Sequence, residues 1–161
     1  ELVFLPLYYE NDTKIVMACK NANYSPVFFG VDGFDGALEQ EGVDVSMFEG
    51  FYYLTPFAYT ATDDATVSFV SKFNALAGNN PNQFAADAYD VVYAIYNALV
   101  EAGANADMSA QDMGELLCKT FQGGFTYSGL TGSNMTWNEN GAVVKALLAF
   151  QVKDGKLTAA E

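Results

Sequence analysis

Two side chains near the N-terminus, those of Tyr8 and Asp32, have the types and positions to bind a ligand. Asp32 comes directly after an apolar run and stands between Gly30 and Gly33. Tyr8 also follows an apolar run, and ligands of open α/β sheets lie outside the carboxyl ends of the strands. We therefore expect both side chains at one rim. A carboxylate there can form a charge-assisted hydrogen bond with a cation, and that bond strengthens as water leaves.

A structural role for Asp32 is the alternative. Aspartate in a glycine-rich turn often accepts a hydrogen bond from its own backbone, and the residues alone leave both roles open. Asp35, three positions further on, is expected only to cap the short helix that follows.

The composition excludes several classes of function. The chain has no histidine, which removes Ser-His-Asp catalysis, Cys-His catalysis and histidine-bound zinc. Cys19 and Cys118 lack a CxxC partner, so they do not indicate a metal or redox motif. The loop SGLTG lacks the GK[ST] of a phosphate loop, and a net charge of −13 argues against nucleic acid. We predict no cofactor, no metal and no enzymatic activity.

The elements that position these residues alternate between strands and helices. Apolar runs predict strands at 2–7, 27–30, 50–54, 134–137 and through 145–152, and helices at 10–22, 65–78, 83–102 and 109–121. This alternation predicts an α/β fold with a largely parallel sheet. Because one small sheet cannot cover several helices in a row, we expect two unequal parts, with breaks near 55–60 and 138–144.

Local signals fix several helix ends and faces. Asn11 or Asp12 is the expected N-cap of the first helix, Asp63 or Asp64 that of the second, and Ser109 that of the last. One apolar face is expected on the long helix, and it consists of Phe84, Ala88, Val91, Val92, Ile95 and Leu99. A similar stripe on the preceding helix consists of Val67, Val70, Phe73 and Leu76.

Several motifs together resemble a known family. VDG after a strand, FAADAYDVVYAIYNAL, a glycine loop leading to MTWNENG, and a strand ending FQVKDGKL occur in this order. They resemble the C-terminal half of the type I, branched-chain amino-acid-binding-like solute-binding proteins of ABC transporters. The resemblance implies an α/β fold of two flavodoxin-like lobes, present here in part.

The family resemblance also implies a domain map and a partner. Residues 1–54 would belong to lobe 2, residues 55–142 to lobe 1, and residues 143–161 would return to lobe 2. The N-terminal half of the family's chain, with the first part of lobe 1 and the first βα units of lobe 2, would then be missing. We therefore expect a second chain, either that half or a copy of this one, to cover the open sheet edges and apolar helix faces. Cys19 and Cys118 would lie in different lobes and remain free thiols.

The resemblance implies a role for each candidate residue. Asp32 would bind the α-ammonium of an amino-acid ligand, Tyr8 would line the cleft, and Phe84 would face the ligand side chain, with core packing as the alternative. Asp87 could face the cleft, but it and Asp90 lie near a helix start, where the dipole favours anions. The implied function is capture of a small amino acid and its delivery to an ABC permease. Sensing without transport is the alternative. The implied location is extracellular, periplasmic or, as a lipoprotein, on the outer face of a bacterial cell.

Overall fold

The chain folds into two compact units. A computed structural model describes residues 1–160. Unit 1 comprises Glu1–Ala58 and the segment from Leu147 onward, and unit 2 comprises Tyr59–Ala146. The assignment of these units to two lobes of a larger protein stays a prediction.

Four helices and seven strands make up the regular structure of the described residues. In chain order they are β1 (Leu2–Leu5), α1 (Tyr9–Asn21), β2 (Val27–Gly30), β3 (Tyr52–Thr55), α2 (Asp64–Ala77), α3 (Gln83–Glu101), α4 (Ala110–Gln122), β4 (Thr136–Trp137), β5 (Val143–Val144), β6 (Leu148–Lys153) and β7 (Lys156–Ala159).

Unit 1 is built on a five-stranded mixed sheet with the order β1-β2-β3-β6-β7. The first three strands are parallel, and β6 and β7 are antiparallel additions. The largely parallel sheet expected from the sequence is therefore only half correct. The last two strands form a hairpin because Asp154 and Gly155 adopt positive φ angles of 52° and 70°, as tight hairpin turns require.

The core of unit 1 lies on one face of this sheet. Three short 3-10 turns, Asp32–Phe34, Ala37–Glu39 and Val45–Phe48, pack there beside α1. Phe34 stacks on Phe51 with ring centroids 3.9 Å apart and also contacts Tyr53 at 5.0 Å. This aromatic cluster fixes the turn that begins at Asp32.

The opposite face of the sheet is apolar but open to solvent in the described chain. Leu2 and Phe4 on β1 pair in register with Val27 and Phe29 on β2, and the two phenylalanine rings lie 6.0 Å apart. Leu2 is 64% exposed and Phe4 is 55% exposed. β1 is also an edge strand of this sheet. Parallel sheets are normally covered on both faces, and the described residues of unit 1 cover only one.

Unit 2 consists of α2, α3, α4 and the two-stranded β4–β5 ribbon. The apolar face predicted for α3 is wrong in phase, because Ala86, Asp90, Ala94 and Ala98 are the buried positions. Most of the predicted face is solvent-exposed instead: Ala88, Val91, Val92 and Ile95. The small residues let the neighbouring segments approach α3 closely, and nothing among the described residues covers the larger ones.

Two further expectations about helices fail in part. The first helix begins at Tyr9 after Tyr8, which provides no side-chain cap, so neither Asn11 nor Asp12 caps it; Asp12 is buried inside the helix. On α2, Val67 and Leu76 are exposed, because Thr66 and Phe69 form the buried positions. Asp63 and Ser109 do cap their helices, accepting hydrogen bonds from Thr66 N and Asp112 N.

Candidate functional site

The carboxyl ends of β1 and β2 form the rim of unit 1. The strands are parallel, with Leu5 opposite Gly30. The segments that follow β1 and β2 therefore leave the sheet at the same end. Tyr8 and Asp32 follow these ends, and both are exposed. Gly33 packs directly on the backbone of Leu7, and a side chain at this position would collide with the Leu7 carbonyl and approach Tyr8 Cα at 3.3 Å. The structure therefore brings Tyr8 and the Asp32 turn together.

The turn that carries Asp32 is firmly held. The carbonyl of Asp32 accepts a hydrogen bond from Asp35 N at 3.0 Å, and Phe34 fastens the turn to the aromatic core. Asp35 itself is buried and does not cap the short helix that follows, which begins after Gly36 without a side-chain cap. Asp32 is thus an exposed residue on a turn that a backbone hydrogen bond and aromatic packing hold in place.

Asp12 is a second acidic group close to this rim. Its side chain is fully buried, and neither carboxylate oxygen has a hydrogen-bond partner within residues 1–160. Burial raises the pKa of Asp12 to about 6, because the ionised form loses its hydration. Sequence reasoning missed this group, since an aspartate four residues into a helix resembles a cap.

Unit 2 contains a buried carboxylate that, unlike Asp12, has hydrogen-bond partners. Asp90 on α3 accepts hydrogen bonds from Leu130 N at 2.9 Å, from Thr131 N at 2.8 Å and from Thr131 Oγ1 at 2.8 Å. A side chain at Gly129 would collide with this carboxylate. Asp90 therefore holds the loop 128–132 against α3, a role that the expected interaction with the helix dipole did not include.

Asp87 and Lys145 extend this arrangement. Lys145 Nζ lies 2.6 Å from Asp87 Oδ1 and donates a second hydrogen bond to Thr131 Oγ1 at 3.1 Å. We call Asp87, Asp90, Thr131 and Lys145 the unit 2 polar cluster. Sequence reasoning found the two aspartates but not their partners, which lie 40 to 58 positions away along the chain.

Phe84 lies at the beginning of α3, close to this cluster in sequence. The helix is capped by Asn82, whose side-chain oxygen accepts a hydrogen bond from Ala85 N at 3.1 Å. Phe84 is half-buried. Of the four predicted ligand residues, Tyr8 and Asp32 thus belong to unit 1, and Phe84 and Asp87 belong to unit 2.

An aromatic groove of about 620 Å³ lies on unit 2 between α2, α3 and the loop 128–132. Tyr89 and Tyr93 line it one helical turn apart, with ring centroids at 4.7 Å. A hydrogen bond with Tyr93 raises the pKa of Tyr89, and burial raises that of Tyr127 on the far side. Sequence reasoning missed this groove, although the four-residue spacing of Tyr89 and Tyr93 on α3 is a signal that could have indicated it.

The described residues contain neither a metal-binding cluster nor a membrane-spanning helix. Within residues 1–160 there is no group of three or more His, Cys, Asp and Glu side chains arranged to hold a metal ion. No helix in this part of the chain is both long and apolar enough to cross a membrane. Cys19 in unit 1 and Cys118 in unit 2 are free thiols.

Comparison with known proteins places these features in a family context. The sequence profile of a family described as "Periplasmic binding protein" matches residues 2–156. No curated protein is similar enough to the chain to count as a match.

Three solved structures are similar to this chain. LivJ of Streptococcus pneumoniae, a branched-chain amino acid transporter substrate-binding protein in complex with isoleucine, has a TM-score of 0.76 and 24% identity; the match covers 99% of this chain and 43% of that one. The leucine-binding protein LivK of Thermotoga maritima gives 0.75 at 20% identity, with the same coverage. A solute-binding protein of R. palustris in complex with benzoate gives 0.76 at 16% identity and covers 98% and 41%. At these identities the similarities show the fold, and they confirm the predicted α/β class. The chain spans less than half the length of each structure.

Proposed function

The chain belongs to the periplasmic binding protein family, a family of binding proteins rather than enzymes, and we propose that it is the C-terminal part of a receptor for a small amino acid. The resemblance to this family inferred from the sequence is confirmed. The observation that carries the proposed function is the rim of unit 1, where the exposed Asp32 stands on a turn fixed by Phe34 and packed against Tyr8.

The proposed chemistry is recognition of an ammonium group by Asp32. A carboxylate and an ammonium form a charge-assisted hydrogen bond. That bond gains strength when water is excluded from around it. Tyr8 is proposed to line the cleft near Asp32, and Phe84 is proposed to contact the ligand side chain. Asp87 is the remaining predicted contact, although its Oδ1 already binds Lys145.

The proposed mechanism is hinge closure, for which periplasmic binding proteins are a general example. Unit 1 is proposed to be part of one lobe and unit 2 part of the other, with the ligand held as the lobes close. The closed receptor would then deliver the ligand to an ABC permease from the extracellular or periplasmic side, free or as a lipoprotein on the outer face of the cell.

The topology of unit 1 supports the position of the proposed site. The chain steps from β1 to β2 to β3 in one direction, and α1 and the three turns all lie on one face. In a doubly wound sheet, the other face is covered by connections that step the opposite way from the same central strand. A parallel strand added to the open edge of β1 would make β1 that central strand. Ligands bind at the carboxyl end of such a switch point, which is where Tyr8 and Asp32 lie.

The exposed sheet face of unit 1 indicates which partner would complete the fold. The bare face of Leu2, Phe4, Val27 and Phe29 and the open edge of β1 fit a strand-helix unit, and the chain covers only 43% of LivJ. We propose the missing N-terminal half as that partner, with a second copy of the chain as the alternative. In the full-length protein, Phe4→Ser should then reduce the free energy of unfolding by about 3 kcal/mol, as a core truncation does.

Urea unfolding at several protein concentrations tests this partner. A loss that is independent of concentration supports the N-terminal half. A concentration-dependent midpoint would indicate a second copy, and a change below about 0.5 kcal/mol would mean that the face stays in solvent.

Calorimetric titration of the full-length protein with free amino acids and with benzoate tests the proposed class of ligand. LivJ was solved with isoleucine and the R. palustris protein with benzoate, so these compounds test ammonium-bearing against ammonium-free ligands. Asp32→Asn should weaken amino-acid binding by about 2 kcal/mol or more. Glu41→Gln, an exposed acid in the same unit, should leave it unchanged. Equal affinity of the Asp32 variant and the parent protein would remove Asp32 from the site.

A further inference from the structure

The segment that ends unit 2 has little regular structure to hold it. β5 consists of only Val143 and Val144, and both are exposed. The strand pairs with another two-residue strand, Thr136–Trp137. Such a short, solvent-exposed ribbon is marginal on its own, so the segment needs another attachment to stay against the helices.

Lys145 supplies that attachment. It directly follows β5, and its side chain is only 15% exposed. Its ammonium group binds Asp87 Oδ1 at 2.6 Å and Thr131 Oγ1 at 3.1 Å. Thr131 is itself buried and fixed by Asp90, so the lysine bonds to a rigid part of unit 2. A partly desolvated ion pair of this kind is stronger than a pair at the surface.

The position of Lys145 determines where the chain that returns to unit 1 can bend. The chain leaves unit 2 after Ala146, and β6 begins at Leu148, paired with Thr55. Only Ala146 and Leu147 lie between the lysine and the next strand. A rotation of the backbone at this connection is therefore confined to these two residues as long as Lys145 is held.

The chain passes from unit 1 to unit 2 after Ala58. This outgoing connection differs from the returning connection at Ala146 and Leu147. Phe57 and Ala58 are buried in unit 1, but the residues that follow at 60–62 are exposed and precede α2. On the unit 2 side, the outgoing connection is thus a surface loop, whereas the returning connection is held up to the last two residues.

We propose that Lys145 is a positioning residue that sets the end of the returning hinge by holding it to α3 through Asp87 and to the loop 128–132 through Thr131. The term hinge rests on the proposed function of ligand capture by closure, but the attachment itself does not depend on any ligand. Asp87 accordingly acts through Lys145.

Amide hydrogen exchange of the ligand-free, full-length protein tests this proposal. Lys145→Met should speed exchange in peptides that cover 142–147 about tenfold, the effect of losing a charge-assisted hydrogen bond. The amides of Leu130 and Thr131 should change little, because they donate to Asp90 and not to the lysine. Lys119→Met is the matched control, since Lys119 is exposed and forms no ion pair within residues 1–160.

A set of variants separates the hinge attachment from other roles. Asp87→Asn should speed exchange at 142–147 by less than Lys145→Met, because the contact of the lysine with Thr131 remains. The double variant should match Lys145→Met alone, and Lys145→Arg should restore slow exchange. Unchanged exchange at 142–147 in Lys145→Met, or additive effects in the double variant, would overturn the proposal. Loss of amino-acid binding in Asp87→Asn with parental exchange would show instead that Asp87 contacts the ligand.

Discussion

The rim of unit 1 and the polar cluster of unit 2 both depend on aspartates, but their surroundings differ. Asp32 at the rim is exposed on a glycine-flanked turn. Asp90 in the cluster is buried and accepts three hydrogen bonds from one loop. Asp12, close to the rim, is buried with no hydrogen-bond partner in the described chain. Burial, rather than residue type, therefore separates the two carboxylates inside the units from the one at the rim.

Removal of the Asp90 carboxylate should have the largest effect on stability. Asp90→Ala leaves the buried Thr131 hydroxyl and two loop amides without their acceptor, so we expect unit 2 to lose about 4 kcal/mol. Urea unfolding measures this loss, and the exposed Asp107→Ala serves as the control. A loss below about 1 kcal/mol would mean that Asp90 is no more structural than Asp32.

The buried Asp12 should make the stability of the protein depend on pH. Its pKa is about 6 in the folded chain against an ordinary value of 3.8, so the folded state binds this proton more tightly than the unfolded state does. The contribution of Asp12 to stability is therefore greatest below about pH 4 and falls as the pH rises to about 6. The loss amounts to about 3 kcal/mol at most.

Asp12→Asn tests this pH dependence. The variant should be more stable than the parent protein by up to about 3 kcal/mol at pH 8, and the gain should vanish near pH 4. Unfolding curves across this pH range measure the difference. Glu10→Gln, an exposed acid on the same helix, should give no such trend, and a flat profile for Asp12→Asn would show that its carboxylate has a partner.

Asp32 should have the smallest effect on stability of the three. Because its side chain is exposed, Asp32→Asn should change the free energy of unfolding by less than about 0.5 kcal/mol, although ligand affinity falls. Thermal unfolding of the ligand-free protein measures this. A loss comparable to that of Asp90→Ala would assign Asp32 to the structure of the turn and return it to the alternative role considered from the sequence.

Features set by neighbouring residues could be predicted from the sequence, and features set by distant ones could not. The strand 27–30 and the caps Asp63 and Ser109 depend on local spacing, and the structure has them where they were expected. The buried face of α3 was assigned wrongly because its phase depends on which neighbours pack against it. The partners of Asp87 and Asp90 lie in the last third of the chain, and no local pattern connects them. At the rim, the sequence predicted that Tyr8 and Asp32 lie at the same end of the sheet, but not that the absence of a side chain at Gly33 lets the two segments pack backbone to backbone.

The two free thiols provide attachment points for dyes that report the distance between the two units. Cys19 is half-buried on unit 1, and Cys118 is exposed on unit 2. Since the more accessible sulfur reacts first with a maleimide, two different dyes can be attached in sequence without adding a cysteine. Energy transfer between them would then test, in a single molecule, the proposal that the two units move when an amino acid binds.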